Sequence, residues 1–162
     1  MCNLLIVKFI NCKMREVSIM IDFLSLRELD INKYDAVWLI VRSAKNCSKL
    51  LENAKVKQIA ELSPDFNLFK KYLNLKNAGK WNHQAFIDIY VPEFLKQIQQ
   101  DTKFADKLLE LKANQDKKYA LVCFCYDERE CHRSIVAALC HINGINVNTK
   151  YDVNTYIKEY WK

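Results

Sequence analysis

Glycine and proline are scarce in this sequence, with two of each among 162 residues. β-Sandwiches and β-barrels need many tight turns, and tight turns depend heavily on these two residues. Their scarcity argues against an all-β fold and favours long helices joined by few sharp corners. The sequence also lacks any apolar run near the roughly 18 residues that a membrane-spanning helix needs.

The first residues carry no export signal. Met1–Ile10 is apolar but contains Lys8, and it lacks both a basic start and a small-residue cleavage site. We therefore expect a cytoplasmic protein. The cysteine count is seven, and an odd number without an export signal indicates reduced thiols rather than a disulfide framework.

Arginine is scarce relative to lysine: five of the 25 basic residues are arginine. The formal net charge of +6 permits a nucleotide or nucleic-acid partner without requiring one. A guanidinium grips phosphate or carboxylate through two parallel hydrogen bonds, which an ammonium cannot do. The few arginines are therefore candidates for specific tasks.

Short apolar runs alternate with helical patterns along the chain. Nearly continuous apolar runs at Asp35–Val41 and Tyr119–Cys125 predict two central strands, and weaker patterns predict strands near 4–10, 17–23, 55–60 and 145–147. Alternating strands and helices indicate a three-layer α/β fold with a largely parallel sheet flanked by helices. We expect one domain over residues 1–162, in which the helical block 64–116 forms a cap. Pro92 should kink or break the long helix predicted at 82–100.

Reactive groups are concentrated in the segment Cys123–Ser134. It runs from the carboxyl end of a buried strand into a helix, where open α/β sheets bind their ligands. A helix start near Cys131 offers free backbone N–H groups to an anion. Arg42 and Ser43 end the other strong strand. If the two strands are parallel neighbours, Arg42 and Arg133 open into one crevice and clamp an anion there; the alternative is a structural salt bridge with Asp127, Glu128 or Glu130.

Two roles stay open at this point for Cys131, and two for His132. A helix start beside His132 and Arg133 would lower the pKa of Cys131 and make it a nucleophile. The Cys-x5-Arg loop of cysteine phosphatases is absent, however. The alternative is that Cys131 is a partly buried thiol that packs the turn. His132 is either a general acid or base or a helix-start residue that bonds a carboxylate or the backbone. Asp127 completes the catalytic candidates.

A zinc site from Cys123, Cys125, Cys131 and His132 lacks the C-x2-C knuckle. Cys123 and Cys125 share one face of a strand, and Cys131 and His132 look hard to bring round to that face. We therefore expect no bound metal and no cofactor.

Cys125-Tyr-Asp127, a short acidic gap and then Cys131-His-Arg-Ser134 before a helix resemble the signature of domain-of-unknown-function family 488. Asp127 stands where that family usually has Glu. The run WLIVRS, which ends at Ser43, is similar to the family's earlier strand, which ends in Arg. The similarity spans roughly residues 35–145. It implies the α/β fold and the site, and it brings little about function.

The sequence thus predicts a domain that recognises, and as a further option processes, a phosphate-bearing ligand such as a nucleotide or nucleic-acid end. Tyr126 and Trp81 are candidates for stacking on a base, and core packing is the favoured alternative for both. The alternative is a non-catalytic adaptor with an exposed apolar patch on the helices between residues 66 and 98. The ligand-binding candidates are Arg42, Ser43, Cys125, Tyr126, Arg133 and Ser134, and the catalytic candidates are Cys131, His132 and Asp127.

Overall fold

One parallel sheet organises the chain. The computed structural model describes residues 19–162, so the strand predicted at 4–10 lies outside the described residues. The five strands pair in the order β3-β2-β4-β1-β5, and every pair is parallel. The predicted α/β fold is confirmed. The strands are β1 (Ile21–Ser25), β2 (Ala36–Leu39), β3 (Val56–Gln58), β4 (Tyr119–Cys123) and β5 (Val147–Asn148).

The two strongest predicted strands are β2 and β4, and they are parallel neighbours. Ala36 pairs with Tyr119 at one end, and Leu39 pairs with Val122 at the other. All five residues of β4 are buried, as expected for a strand covered by helices on both faces. Because parallel strands end at the same edge of a sheet, the segments that follow β2 and β4 emerge side by side.

The chain leaves these two neighbours in opposite directions. From β2 it continues to the edge strand β3, whereas from β4 it passes β1 to reach β5 at the other edge. Such a reversal opens a crevice at the carboxyl ends of the two strands, and open α/β sheets bind ligands there. The segment that follows β4 lies beside this reversal, where the sequence predicts the ligand site.

Seven helices surround the sheet in the described part of the chain. The predicted irregularity near Pro92 takes the form of a π-helical turn over Phe86–Tyr90, in which the Val91 N–H bonds to the Phe86 carbonyl. Proline has no N–H, so the regular bond from residue 92 to the carbonyl of residue 88 cannot form. The helices are α1 (Ser48–Leu51), α2 (Phe66–Asn77), α3 (His83–Ala85), α4 (Val91–Gln100), α5 (Thr102–Ala113), α6 (His132–Ile142) and α7 (Val153–Tyr160).

The helix α6 is the most deeply buried of these helices, and its first eight residues include seven that are fully covered or nearly so. Phe94 of α4 packs edge-to-face on the His132 ring, with the centroids 6.0 Å apart, and also contacts Phe104 of α5. The middle helices thus help to fix the start of α6. The division into one domain with an inserted cap stays a prediction. None of the described helices is long and apolar enough to cross a bilayer.

Candidate functional site

A short turn after β4 brings three thiols together. The chain leaves β4 at Cys123, forms a 3-10 turn over Glu128–Glu130, and starts α6 with Cys131 as the residue before its first turn. The Sγ atoms of Cys123, Cys125 and Cys131 all lie within 4.8 Å of one another. The expectation that Cys131 could not be brought round to the other two is wrong, because the 3-10 turn reverses the chain.

A guanidinium nitrogen and an imidazole nitrogen lie close to the sulfur of Cys131. Nε of Arg133 donates to it at 3.4 Å, and Nδ1 of His132 lies 3.7 Å away. The other ring nitrogen of His132, Nε2, lies 2.7 Å from the carbonyl oxygen of Ile40, at the end of β2. A carbonyl only accepts, so Nε2 carries a hydrogen and Nδ1 is directed at the thiol. His132 therefore links the end of β2 to the start of α6 and forms a Cys–His pair.

The three thiols differ in acidity. Burial opposes ionisation of Cys131, but hydrogen bonds from the Cys123 and Cys125 thiols and the nearby His132 outweigh it and lower the pKa of Cys131 well below its usual range. The pKa of Cys123 is raised, first by its hydrogen bond with Cys125. For Cys125, the bond with Cys123 lowers the pKa, but the bond with Cys131 and burial together raise it. Of the three thiols, Cys131 is therefore the one whose surroundings favour the thiolate.

The two arginines predicted to form an anion clamp have different partners. Arg133 is 1% exposed, and its Nη2 donates to the Cys125 carbonyl at 2.8 Å. Arg42 instead donates from Nε and Nη2 to the backbone carbonyls of Pro64 and Ser63, at 2.8 and 3.1 Å. The strand ends meet as predicted, but each guanidinium is already hydrogen-bonded in its own surroundings. The shared clamp stays a prediction.

The remaining predicted residues divide into buried and exposed ones. Ser134 is buried, and its hydroxyl bonds to that of Tyr160 at 2.6 Å and to the Cys131 carbonyl at 2.9 Å. Tyr126 and Ser43 point to solvent. Asp127 accepts from the backbone N–H of Arg129 at 2.9 Å, which stabilises the 3-10 turn.

Sequence reasoning missed Ser25, at the carboxyl end of β1. Ser25 pairs in register with Cys123, so both side chains lie on one face of the sheet. Its Oγ is buried and lies against the Glu28 backbone N–H in a capping box at the start of the turn Leu26–Glu28, yet within residues 19–162 it makes no hydrogen bond of regular geometry. A polar residue that ends an apolar strand at the ligand-binding edge is the signal that could have indicated it.

A second missed residue is Glu128, which is buried although it belongs to the acidic gap of the motif. Its Oε1 accepts from the Tyr156 hydroxyl and its Oε2 from the Lys150 backbone N–H, both at 3.1 Å. Burial raises the pKa of Glu128, while these two bonds lower it in part. Glu128 thereby ties the turn beneath Cys131 to α7. No local sequence pattern distinguishes Glu128 from the acidic residues beside it.

Replacing Tyr156 with phenylalanine should lower the free energy of unfolding by roughly 1.5–3 kcal/mol at neutral pH, since a bond to a charged group is lost. That bond favours the ionised form of Glu128. The loss in free energy of unfolding should therefore be largest above the folded-state pKa of Glu128, and it should shrink as the pH falls through that pKa. Urea unfolding at neutral and acidic pH measures this difference.

The control for this prediction is Tyr126→Phe, because Tyr126 is exposed and its hydroxyl has no buried partner to lose. It should leave unfolding unchanged at both pH values. A penalty for Tyr156→Phe that is the same at neutral and acidic pH would show that the hydroxyl does not act through Glu128.

The cysteine cluster is, in the part of the chain that the structure describes, the only group of three His, Cys, Asp or Glu side chains spaced for a metal ion. Structural zinc sites use four such ligands, and no fourth side chain joins this group. The expectation that no metal binds stays a prediction. The five described cysteines are all free thiols.

A parallel sheet with a thiol cluster at its topological reversal defines an α/β domain with a cysteine-centred site. Residues 27–144 match the model of the DUF488-N3a family, described as the active DUF488-N3 subclade. The match covers more than half of the chain, and the chain belongs to this family; the predicted resemblance to family 488 is confirmed. No curated protein and no solved structure matches the chain significantly.

Proposed function

We propose that this protein is a cysteine-dependent enzyme that binds a phosphate-bearing ligand, such as a nucleotide or nucleic-acid end, at the carboxyl edge between β2 and β4. The observation that carries the proposal is the sulfur of Cys131, which lies 3.4 Å from Nε of Arg133 and 3.7 Å from Nδ1 of His132. Cys131 acts as the nucleophile, His132 takes and returns a proton, and Arg133 stabilises negative charge. The family description, which calls the subclade active, supports an enzyme.

The ligand class is supported by an aromatic ring beside the thiols. Tyr126 follows Cys125 directly and is 71% exposed. The guanidinium carbon of Arg27 and Nζ of Lys150 lie 5.8 and 5.6 Å from the centroid of its ring. A base can stack on such a ring while the two cations attract its phosphates. The net charge of +6 favours the same class of ligand.

The unpartnered hydroxyl of Ser25 adds a second reason to place a ligand here. It lies on the same face of the sheet as Cys123, and a ligand oxygen would satisfy it. Cys131 is only 2% exposed, so the ligand must displace part of the loop that covers it. Phe124 and Tyr126 are exposed on either side of the half-buried Cys125. We therefore expect the loop after β4 to move when ligand enters.

Tyr126→Ala should weaken nucleotide binding about fivefold or more, because stacking on an aromatic ring contributes roughly 1–3 kcal/mol per base. The probes are nucleoside mono-, di- and triphosphates and short single-stranded oligonucleotides phosphorylated at either end. Calorimetric titration of the reduced protein measures the affinity, and mass spectrometry detects products. Cys131→Ser should retain binding and lose turnover.

Phe66→Ala is the matched control, since Phe66 is a similarly exposed aromatic residue, 67% exposed, on the separate helix α2. It should bind every probe as the unaltered protein does. If the unaltered protein binds none of these probes, or if both variants lose affinity equally, the ligand class is wrong.

The adaptor function stays the alternative, and one observation favours it. Phe66, Phe69 and Leu73 are all exposed on α2, and their spacing places them on one side of that helix. An adaptor would keep its function in Cys131→Ser and lose it when Phe66 and Phe69 are replaced by aspartate. An enzyme would show the reverse pattern.

A further inference from the structure

The proposed enzyme uses one thiol, yet three lie together. Cys123, Cys125 and Cys131 are all free, and their sulfurs lie within 4.8 Å of one another. The sulfurs of Cys123 and Cys125 are 3.8 Å apart. A nucleophilic cysteine that acts alone needs no neighbouring thiols, and thiols this close can become linked after a small movement.

We propose that Cys131 is a site of reversible oxidation by hydrogen peroxide or another small hydroperoxide, and that Cys125 is the thiol that resolves it to a disulfide. This inference goes beyond the proposed function and does not depend on its ligand. Redox-sensitive cysteines generally sit among cationic groups beside a second, resolving cysteine. Cys131 has both kinds of neighbour.

Arg133 gives Cys131 the surroundings that reaction with a peroxide needs. Its Nε donates to the Cys131 sulfur at 3.4 Å, so its charge stabilises both the thiolate and the oxygen that leaves. The hydrogen bonds and the nearby His132 that lower the pKa of Cys131 favour the thiolate, which is the form that reacts with a peroxide. Cys131 is buried, which favours a small oxidant over a bulky one.

Cys125 is better placed than Cys123 to resolve the oxidised sulfur. Cys123 belongs to β4 and pairs in register with Ser25 of β1, so its movement would break the sheet. Cys125 lies beyond the end of β4, is half-buried, and is flanked by exposed residues. Its backbone is held here by the bond from Arg133 to its carbonyl. Because Cys125 lies outside the paired strand, opening this one bond lets the loop carry Cys125 toward Cys131 while β4 stays paired.

The reaction balances in two steps. The Cys131 thiolate attacks one peroxide oxygen, a sulfur–oxygen bond forms, the oxygen–oxygen bond breaks, and the hydroxide released takes a proton to become water. Sulfur is oxidised to sulfenic acid and the peroxide is reduced. The Cys125 thiol then attacks that sulfur, a disulfide forms, the sulfur–oxygen bond breaks, and hydroxide leaves with the Cys125 proton as water. A thiol reductant restores both cysteines.

The experiment treats reduced full-length protein with equimolar hydrogen peroxide at neutral pH and maps peptides under non-reducing conditions. We expect a Cys125–Cys131 link that dithiothreitol reverses. Cys125→Ser should form no link, and dimedone should trap the sulfenic acid on Cys131. Cys123→Ser is the matched control and should still form the link. Thermal melts of the reduced variants confirm that they fold.

Three results would overturn the inference. The first is a Cys123–Cys131 link in the unaltered protein. The second is an unmodified Cys131 in protein whose buried Cys47 or Cys140 is oxidised. The third is sulfinic acid that accumulates on Cys131 at the same rate in the unaltered protein as in Cys125→Ser. These results come from the unaltered protein or a simple comparison with it, and none uses a nucleotide. Failure of the proposed ligand, by contrast, appears only in binding and turnover by the reduced protein.

Discussion

Replacing Cys131 with serine is expected to remove a thiolate signal at neutral pH, because the pKa of Cys131 is lowered well below its usual range. A thiolate absorbs in the ultraviolet where a thiol does not, so the difference in absorbance between the two proteins across a pH titration isolates Cys131 without requiring a reagent to reach it. The difference should persist well below the pH at which an ordinary thiol, with a pKa of about 8.5, loses its charge. The cause is the set of hydrogen bonds and charges that outweigh burial at this sulfur.

Cys140→Ser is the matched control for this titration. Cys140 is as buried as Cys131 but lacks such partners, and burial raises its pKa to about 12. Its replacement should leave the neutral-pH absorbance unchanged. The assignment fails if Cys131→Ser has no effect there. In the described part of the chain, the titratable groups in contact with the Cys131 sulfur are Cys123, Cys125, His132 and Arg133, and Glu128, Tyr72, Tyr90 and Tyr160 interact with it electrostatically.

The lowered pKa of Cys131 also makes the free energy of unfolding depend on pH. The folded-state pKa of Cys131 lies below its unfolded value, so the thiolate contributes stability that is fully present above the unfolded pKa and lost as the pH falls through the folded pKa. The unaltered protein should therefore gain stability relative to Cys131→Ser as the pH rises through that window. Urea unfolding of both proteins at several pH values measures the gain.

Arg133→Met is expected to destabilise the fold strongly, by about 3–5 kcal/mol, because breaking a buried ion pair leaves the other charge uncompensated. Arg133 is almost completely buried. Its loss removes the donor to the Cys131 sulfur and the donor to the Cys125 carbonyl. It should also raise the pKa of Cys131, which the ultraviolet titration would record. Chemical denaturation at neutral pH measures the loss of stability.

A double-mutant cycle with Cys131→Ser separates the ion pair from packing. If the charge of Arg133 mainly compensates the thiolate, Arg133→Met should cost less when Cys131 is already serine. Arg129→Met is the surface control, since Arg129 is exposed and its contacts with Asp127 and the Tyr151 ring lie at the surface, and its melting temperature should hardly change. If Arg133→Met melts like Arg129→Met, the buried pair does not support the fold.

The position of the site was predictable because parallel-sheet topology follows from local patterns. The runs Asp35–Val41 and Tyr119–Cys125 are apolar nearly throughout, and strands covered on both faces need such runs. They became β2 and β4, at the expected places though each two or three residues shorter. The motif from Cys125 to Ser134 indicated both the family and the edge of the sheet at which the site lies.

The partners within the site were less predictable, because they depend on contacts between distant parts of the chain. Local sequence does not show that Arg133 turns inward to Cys131 and Arg42 to the 63–64 backbone. It also does not show that Glu128 is buried against Tyr156. Each of these outcomes is set by which element covers the side chain.

The sequence by itself therefore determined the class of fold, the two central strands and the edge of the sheet where chemistry is concentrated, since strand patterning and the motif are local properties. Only the tertiary structure decided that three sulfurs converge and that the pKa of one of them, Cys131, is lowered. The His132 bond to Ile40 spans 92 residues, and the Phe94 ring that packs on His132 comes from another helix. Burial and hydrogen-bond partners set the acidity of a thiol, and both are fixed only when distant segments pack together.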